Sequence, residues 1–135
     1  MNNVKQPPYA KALIARLAYG NPPEKVIVTV GAGAWESAKH WNKKPDYSAL
    51  VLPADTLPDQ LHWPVNACVC QIEWDAAAPA ELIILLVQAL HSAGAAQIIV
   101  WPIGVDCKLP AWVLNTATQQ WEQVREQIHV YGGQQ

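Results

Sequence analysis

The sequence predicts an α/β fold of three layers, an open, mainly parallel sheet of four to five strands with helices on both faces. Three observations predict it. The first is the stretch Val26-Ile-Val-Thr-Val-Gly-Ala-Gly-Ala-Trp-Glu-Ser-Ala38, a β-branched apolar run that breaks at two glycines and resumes at helical spacing. Such a run without alternating polar residues suits a strand buried on both faces, as in parallel sheets. The second is that runs of this kind alternate with helix-spaced segments through the chain, the order expected when helices cross over between parallel strands. The third is composition: 51% of the residues are apolar and 15% charged, against a usual charged share of about a quarter, so the core is large.

A chain of 135 residues buries about two thirds of its unfolded surface and is read as one domain. Residues 1 to 8 are expected to fray behind Pro7-Pro8. A net charge of -2 supplies no basic field for nucleic acid or anionic membrane, so nucleic acid is expected only as an indirect partner. Three cysteines, an odd number without framework spacing, and no secretory pattern point to a reducing cytoplasm. The most apolar run, Leu82 to Leu90, is too short to span a bilayer, and no membrane partner is expected. Seven tryptophans stand beside no phenylalanine. Most are read as packing residues, since tryptophan carries a large apolar area and needs one hydrogen-bond partner; the rest are read as interface residues.

Along the chain, Tyr9 to Tyr19 carries Ala10, Leu13, Ile14, Leu17 and Ala18 on one helical face, and Gly20 stops it. After the first strand and its glycines, Ala34, Trp35, Ala38 and Trp41 recur at helical spacing until Pro45. Ser48 to Leu52 is a second strand. Pro53 to Asn66 is a proline-bearing loop with one helical turn at Pro58 to Leu61; loops this long are often functional. Ala67 to Ile72 is a third strand, broken from its helix by Glu73-Trp74-Asp75. Cys68 and Cys70 point to the same face and are read as small buried hydrophobes. Ala80 to Ala93 is the strongest helix, with Pro79 at its start and Gly94 as its stop. It is so apolar around its circumference that the sheet must cover one side and the N-terminal helix or a second copy of the chain the other. Gln97 to Trp101 is a fourth strand, Pro102 to Leu109 a loop, Thr118 to Ile128 a last helix with Ala117, Trp121, Val124 and Ile128 inward, and His129 to Tyr131 an edge strand. The architecture is Rossmann-like.

In open parallel sheets ligands sit beyond the carboxyl ends of the strands, which selects Gly31 to Glu36, Pro53 to Thr56, Glu73 to Asp75 and Pro102 to Lys108. Gly31 and Gly33 open a turn that presents backbone N-H groups. Glu36 occupies the position where a dinucleotide fingerprint needs a third glycine, and Asp55 falls near the distance of a ribose-binding acid. Gly31, Gly33, Glu36, Asp55 and Asp106 are thus the ligand-binding candidates. The acids at this edge are oxygen donors of the kind Mg²⁺ accepts; as solvated loop acids they also suit helix N-termini.

Thr29-Val-Gly-Ala-Gly-Ala-Trp-Glu-Ser-Ala38, Ile72-Glu-Trp-Asp75-Ala-Ala-Ala78 and Trp101-Pro-Ile-Gly-Val-Asp106 together resemble the Toprim domain of primases and topoisomerases, over about three quarters of the chain. That family ends its first strand in a glutamate that acts in acid-base chemistry, and holds Mg²⁺ with a D-x-D pair followed by a glycine. Here the glutamate position is Val30, the pair is Glu73 and Asp75, and the trailing glycine is Ala78. The resemblance implies Glu73 and Asp75 as the metal residues, with Mg²⁺ the metal they would take, and no catalytic residue; the glycine loop leaves NAD or a similar dinucleotide as a second cofactor candidate.

The functional expectation is a non-catalytic binding or accessory module that works by protein-protein contact, with its own copy or another protein, in association with nucleic-acid processing. Trp63, Trp74, Trp101 and Trp112, read as loop aromatics, are its interface candidates. The alternative is a Mg-dependent phosphoryl-transfer or nucleotide-binding enzyme using the glycine loop and the acidic strand ends.

Overall fold

In the computed structural model, which describes residues 5–75 and 79–103, the elements alternate as the composition demands. They are α1 (Ala10–Ala18), β1 (Lys25–Val30), α2 (Ala34–Trp41), β2 (Tyr47–Leu52), a single 3-10 turn at Pro58–Gln60, β3 (Val69–Asp75), α3 (Ala80–Ser92) and β4 (Gln97–Ile103). Asp106, Trp112, the last helix and the edge strand expected from the sequence lie outside the described residues.

The strands form one sheet in the order β2-β1-β3-β4, every pair parallel. β1 is flanked on both sides, and Val26, Ile27, Val28, Thr29 and Val30 are all buried, which is why its sequence shows no alternation. Its even-numbered valines face a large cluster with Ala10 and Leu13 of α1 and Ile83, Leu86, Val87 and Leu90 of α3. Ile27 faces the other way, with Ala34 and Ala38 of α2 and Ala49 and Val51 of β2. Helices therefore cover both faces of the sheet, and the three-layer α/β class is the one observed.

Two strands run further than their sequences suggest. Glu73, Trp74 and Asp75 do not break β3: Thr29 and Val30 of β1 pair with Glu73 and Trp74, and Trp101, Pro102 and Ile103 of β4 pair with Glu73, Trp74 and Asp75. Pairing from two neighbours outweighs the low strand preference of the acids. At its other end β3 begins at Val69, because Ala67 adopts φ 66 and donates its N-H to Gly94 O at 2.8 Å.

The long loop before β3 has a packing role. Leu61, Trp63 and Val65 are buried in the same cluster as the inner face of α3, and Trp63 is fixed by its Nε1-H donating to Pro58 O at 2.9 Å. This loop, in addition to α1, supplies cover that the sequence assigned to α1 or to a second copy. Among the described residues of α3, Leu85 is the large apolar side chain left exposed.

The outer side of β2 is closed by two devices. Asn42, at the C-terminus of α2, accepts the Ala49 N-H through Oδ1 at 2.8 Å and donates Nδ2-H to Ala49 O at 3.2 Å. Pro8 O accepts the Val51 N-H at 3.4 Å. A side-chain amide and an incoming coil thus stand where another strand would pair, which blunts the edge. Arg16 ties α1 to the start of β2, donating to Tyr47 O and Ser48 Oγ at 3.2 Å each.

Gly31 and Gly20 both have positive φ, 113° and 71°, but their surroundings differ. A methyl group at Gly31 would overlap Asp75 Cβ and stand 2.9 Å from Asp75 Cγ, whereas one at Gly20 would meet nothing within 4 Å. Gly20→Ala is expected to cost about 1 kcal/mol, the backbone penalty alone, and Gly31→Ala at least about 3 kcal/mol, strain plus overpacking. Urea unfolding midpoints of the two variants check this; equal losses would contradict it.

Candidate functional site

The order in which strands are added reverses between β1 and β3, although all run parallel. From β1 the chain passes through α2 on one face to β2, then returns over the other face, through the loop that buries Leu61, Trp63 and Val65, to β3. The crevice between the carboxyl ends of β1 and β3 is where open α/β sheets receive ligands. Here Gly31 and Asp75 flank it, and the Asp75 side chain lies against Gly31 so closely that no Cβ fits between them. The glycine is required by this packing as well as by its φ.

Glu73, two residues earlier on the same face of β3, serves α2. Its Oε1 accepts the hydroxyl of Ser37, and its Oε2 accepts Trp41 Nε1-H at 3.1 Å. Ser37 and Trp41 are four apart and share one helical face, so a single carboxylate pins that face to the sheet. The buried hydroxyl of Thr29 lies 2.9 Å from Ala34 O and 3.2 Å from Leu50 O, fixing the first turn of α2 to β1.

Of the residues the sequence selects as ligand-binding candidates, Gly33 precedes α2 and leaves open space around its Cα. Glu36 is exposed in the first turn of α2, where a carboxylate suits the helix dipole. Asp55 is exposed after β2 and accepts the Thr56 hydroxyl at 3.2 Å. The structure therefore brings Gly31, Glu73 and Asp75 together and leaves Glu36 and Asp55 on the rim. Among the described residues no group of three or more His, Cys, Asp or Glu side chains could hold a metal ion.

The tryptophan assignments change. Trp63 and Trp74 are buried in the core, at 3% and 5% exposure, and do not form a surface: Trp63 belongs to the loop packed on α3, and Trp74 pairs with Val30 inside the sheet. Trp101 lies in β4 and is 37% exposed. Trp35, placed by its spacing among the inward residues of α2, is 52% exposed. It stands one residue from Ala34, roughly 100° around the helix from the Ala34-Ala38 face.

Cys68 and Cys70 are buried free thiols on one face, as their spacing indicates. Burial pushes both thiols up, and the neighbouring Cys68 adds to the rise at Cys70. The stability gained by keeping them neutral is present below the ordinary thiol pKa of about 8.5 and is lost as pH rises beyond it.

The feature that sequence reasoning missed is an aromatic pair at the carboxyl edge. Tyr9 caps α1 and Trp35 opens α2; both helices begin at this edge, since Pro8 meets the end of β2 and Arg16 its start. The two rings lie 6.2 Å apart, tilted by 57°, and Tyr9 is 40% exposed. Tyr9 adopts φ 72 and ψ 7, a left-handed conformation costly for a bulky residue. Nothing in Pro7-Pro8-Tyr9 signals it. Elsewhere, a groove of about 580 Å³ between α1, α3 and the loop is lined by Leu17, Leu61, Trp63, Leu85 and Ala89 together with polar residues, Asp59, His62, Asn66 and Gln88 among them.

No helix among the described residues is long and apolar enough to cross a membrane. Comparison with protein-family models, curated proteins and solved structures finds no match to the chain.

If Glu73 is a structural acceptor, replacing it weakens the fold. Glu73→Ala is expected to cost about 2 kcal/mol, the scale of a lost hydrogen bond to a charged group, and Glu73→Gln about half of that. Urea unfolding gives the order wild type, Gln, Ala. A Glu73→Ala variant more stable than wild type, the behaviour of a group held in strain for function, would contradict the assignment.

Proposed function

We propose that the chain is a non-catalytic, Rossmann-like binding module that acts by contact with protein, and that the Tyr9–Trp35 pair at the carboxyl edge is the centre of its contact surface. The pair is the observation that carries this reading: two half-exposed aromatic rings meet at the edge where this architecture takes its ligands, and one of them is held in a strained backbone conformation. Large, stiff aromatics of this kind anchor protein interfaces. Association with nucleic-acid processing follows by analogy from the Toprim resemblance and stands as a proposal with it.

The enzyme alternative draws less support. It requires carboxylates turned toward an ion, and Glu73 instead accepts from Ser37 and Trp41 while Asp75 lies against Gly31. Val30, which stands where the resemblance expects a catalytic acid, is buried among the core valines.

A photo-crosslinking residue at position 35, compared with one at position 19, tests the contact surface. Tyr19 is 87% exposed at the opposite end of α1 and serves as the exposed control. In cell extract, protein adducts are expected at position 35 and not at 19. Equal adducts at both, or none at 35, would count against the proposal.

A further inference from the structure

Among the described residues α2 covers one half of its face of the sheet, and we infer that the other half, over β3 and β4, is the seat of the chain's own residues 117–128, docked there as an amphipathic helix. Side chains along β3 and β4 alternate between the two faces. Glu73 reaches Ser37 and Trp41 on α2, Gln71 accepts from Lys25 Nζ at 3.3 Å, and in register with these two stand Trp101 and Ile99 of β4. Gln97, Ile99 and Trp101 therefore belong to the α2 face. The cluster beneath α2 is built on Ile27 of β1 and Ala49 and Val51 of β2, so α2 sits over the opposite half. Four strands about 4.8 Å apart make a face wide enough for two helices of about 10 Å. The other face carries two, α1 and α3; among the described residues this one carries α2 alone. Yet Ile99 is 4% exposed and belongs to neither cluster of the described residues. Trp101, its neighbour on the same face, is 37% exposed.

The occupant has to bring an apolar stripe to Ile99 and Trp101, and the chain has one to spare. Ala117, Trp121, Val124 and Ile128 recur at the spacing of one helical face, with glutamines and charged residues between them. As a helix, residues 118–128 run about 16 Å, within the roughly 23 Å of β4. The segment also starts where the seat ends. β4 finishes at Ile103 on the carboxyl edge, and residues 104–116 exceed the about 2 to 6 residues by which a strand turns back into its helix in this architecture. α2 and α3 each follow a strand in the same way. A segment tethered to β4 meets the seat at an effective concentration on the order of millimolar, ahead of a second copy or another protein in dilute solution. Trp101 then makes an internal contact, and the inference stands or falls separately from the Tyr9–Trp35 proposal.

The test places a photo-crosslinking residue at position 101 of the full chain, with one at the exposed position 19 as control, and maps the adducts by mass spectrometry. The expected result is adducts within one chain from position 101 to residues 117–128, in a yield that dilution does not change, and none to that segment from position 19. Amide hydrogen exchange is read alongside. Amides of residues 118–128 are expected to be protected in the wild type and to exchange at least about tenfold faster in Trp101→Glu and in Val124→Glu, while those of β1 keep their protection. Val124→Glu alters no strand residue, so it decides the question if Trp101→Glu unfolds the chain. Adducts formed only between copies would assign the seat to a second molecule and overturn the inference. So would adducts that avoid residues 117–128, or amides of 118–128 that exchange at the unfolded rate in the wild type or stay protected in Val124→Glu.

Discussion

The rest of the molecule is arranged by the burial of β1 on every side. A strand with neighbours on both edges and helices over both faces has no solvent-facing residue, so its sequence must be apolar throughout and its exit must be abrupt. Gly31 provides that exit. Because β3 lies beside β1 in register and extends through Asp75, the glycine also has to admit the Asp75 side chain, and a residue with a Cβ would not. One glycine thus fixes the turn into α2 and the spacing of β1 and β3 at the point where the strand order reverses.

The same neighbourhood explains why acids at the strand ends do not by themselves make an active site. Glu73 is a hydrogen-bond acceptor for the inward face of α2, and Asp75 packs in the crevice that other open sheets leave for a ligand. Carboxylates so used stabilise the helix-sheet contact and close the crevice. Among the described residues, Tyr9, Trp35, Glu36 and Asp55 stand exposed at that edge. The contact surface we propose lies on this rim, at the first turns of α1 and α2.

Much of this fold was legible from periodicity. The β-branched run of β1, the Leu13 face of α1, the Ala34-Ala38 face of α2 and the apolar circumference of α3 each specify an element, and each forms. What was not legible depended on tertiary neighbours. Glu73-Trp74-Asp75 reads as a strand break until partners on both sides extend it. Trp63 reads as a loop aromatic until the alternation Leu61, Trp63, Val65 is seen to be the buried side of a loop packed on α3. At the candidate site, the topology rule puts Gly31, Glu73 and Asp75 at one sheet edge with Glu36 and Asp55, but the sequence carries no sign of which donors a carboxylate will meet. Tyr9 escaped notice because a left-handed tyrosine leaves no mark in composition or spacing.

The measurement that most directly tests the central claim, that the Glu73 carboxylate is a fixed structural acceptor for α2 and not a metal ligand, is the indole N-H spectrum of the protein on addition of Mn²⁺. Trp41 Nε1-H donates to Glu73, so its signal, assigned through Trp41→Phe, reports on that carboxylate, while the indole of Trp63, bound to Pro58 O, serves as an internal reference. The account predicts that the Trp41 and Trp63 signals keep the same intensity relative to each other as Mn²⁺ is raised to millimolar. Selective broadening of the Trp41 signal, abolished in Asp75→Ala, would place an ion at the strand ends and contradict the account.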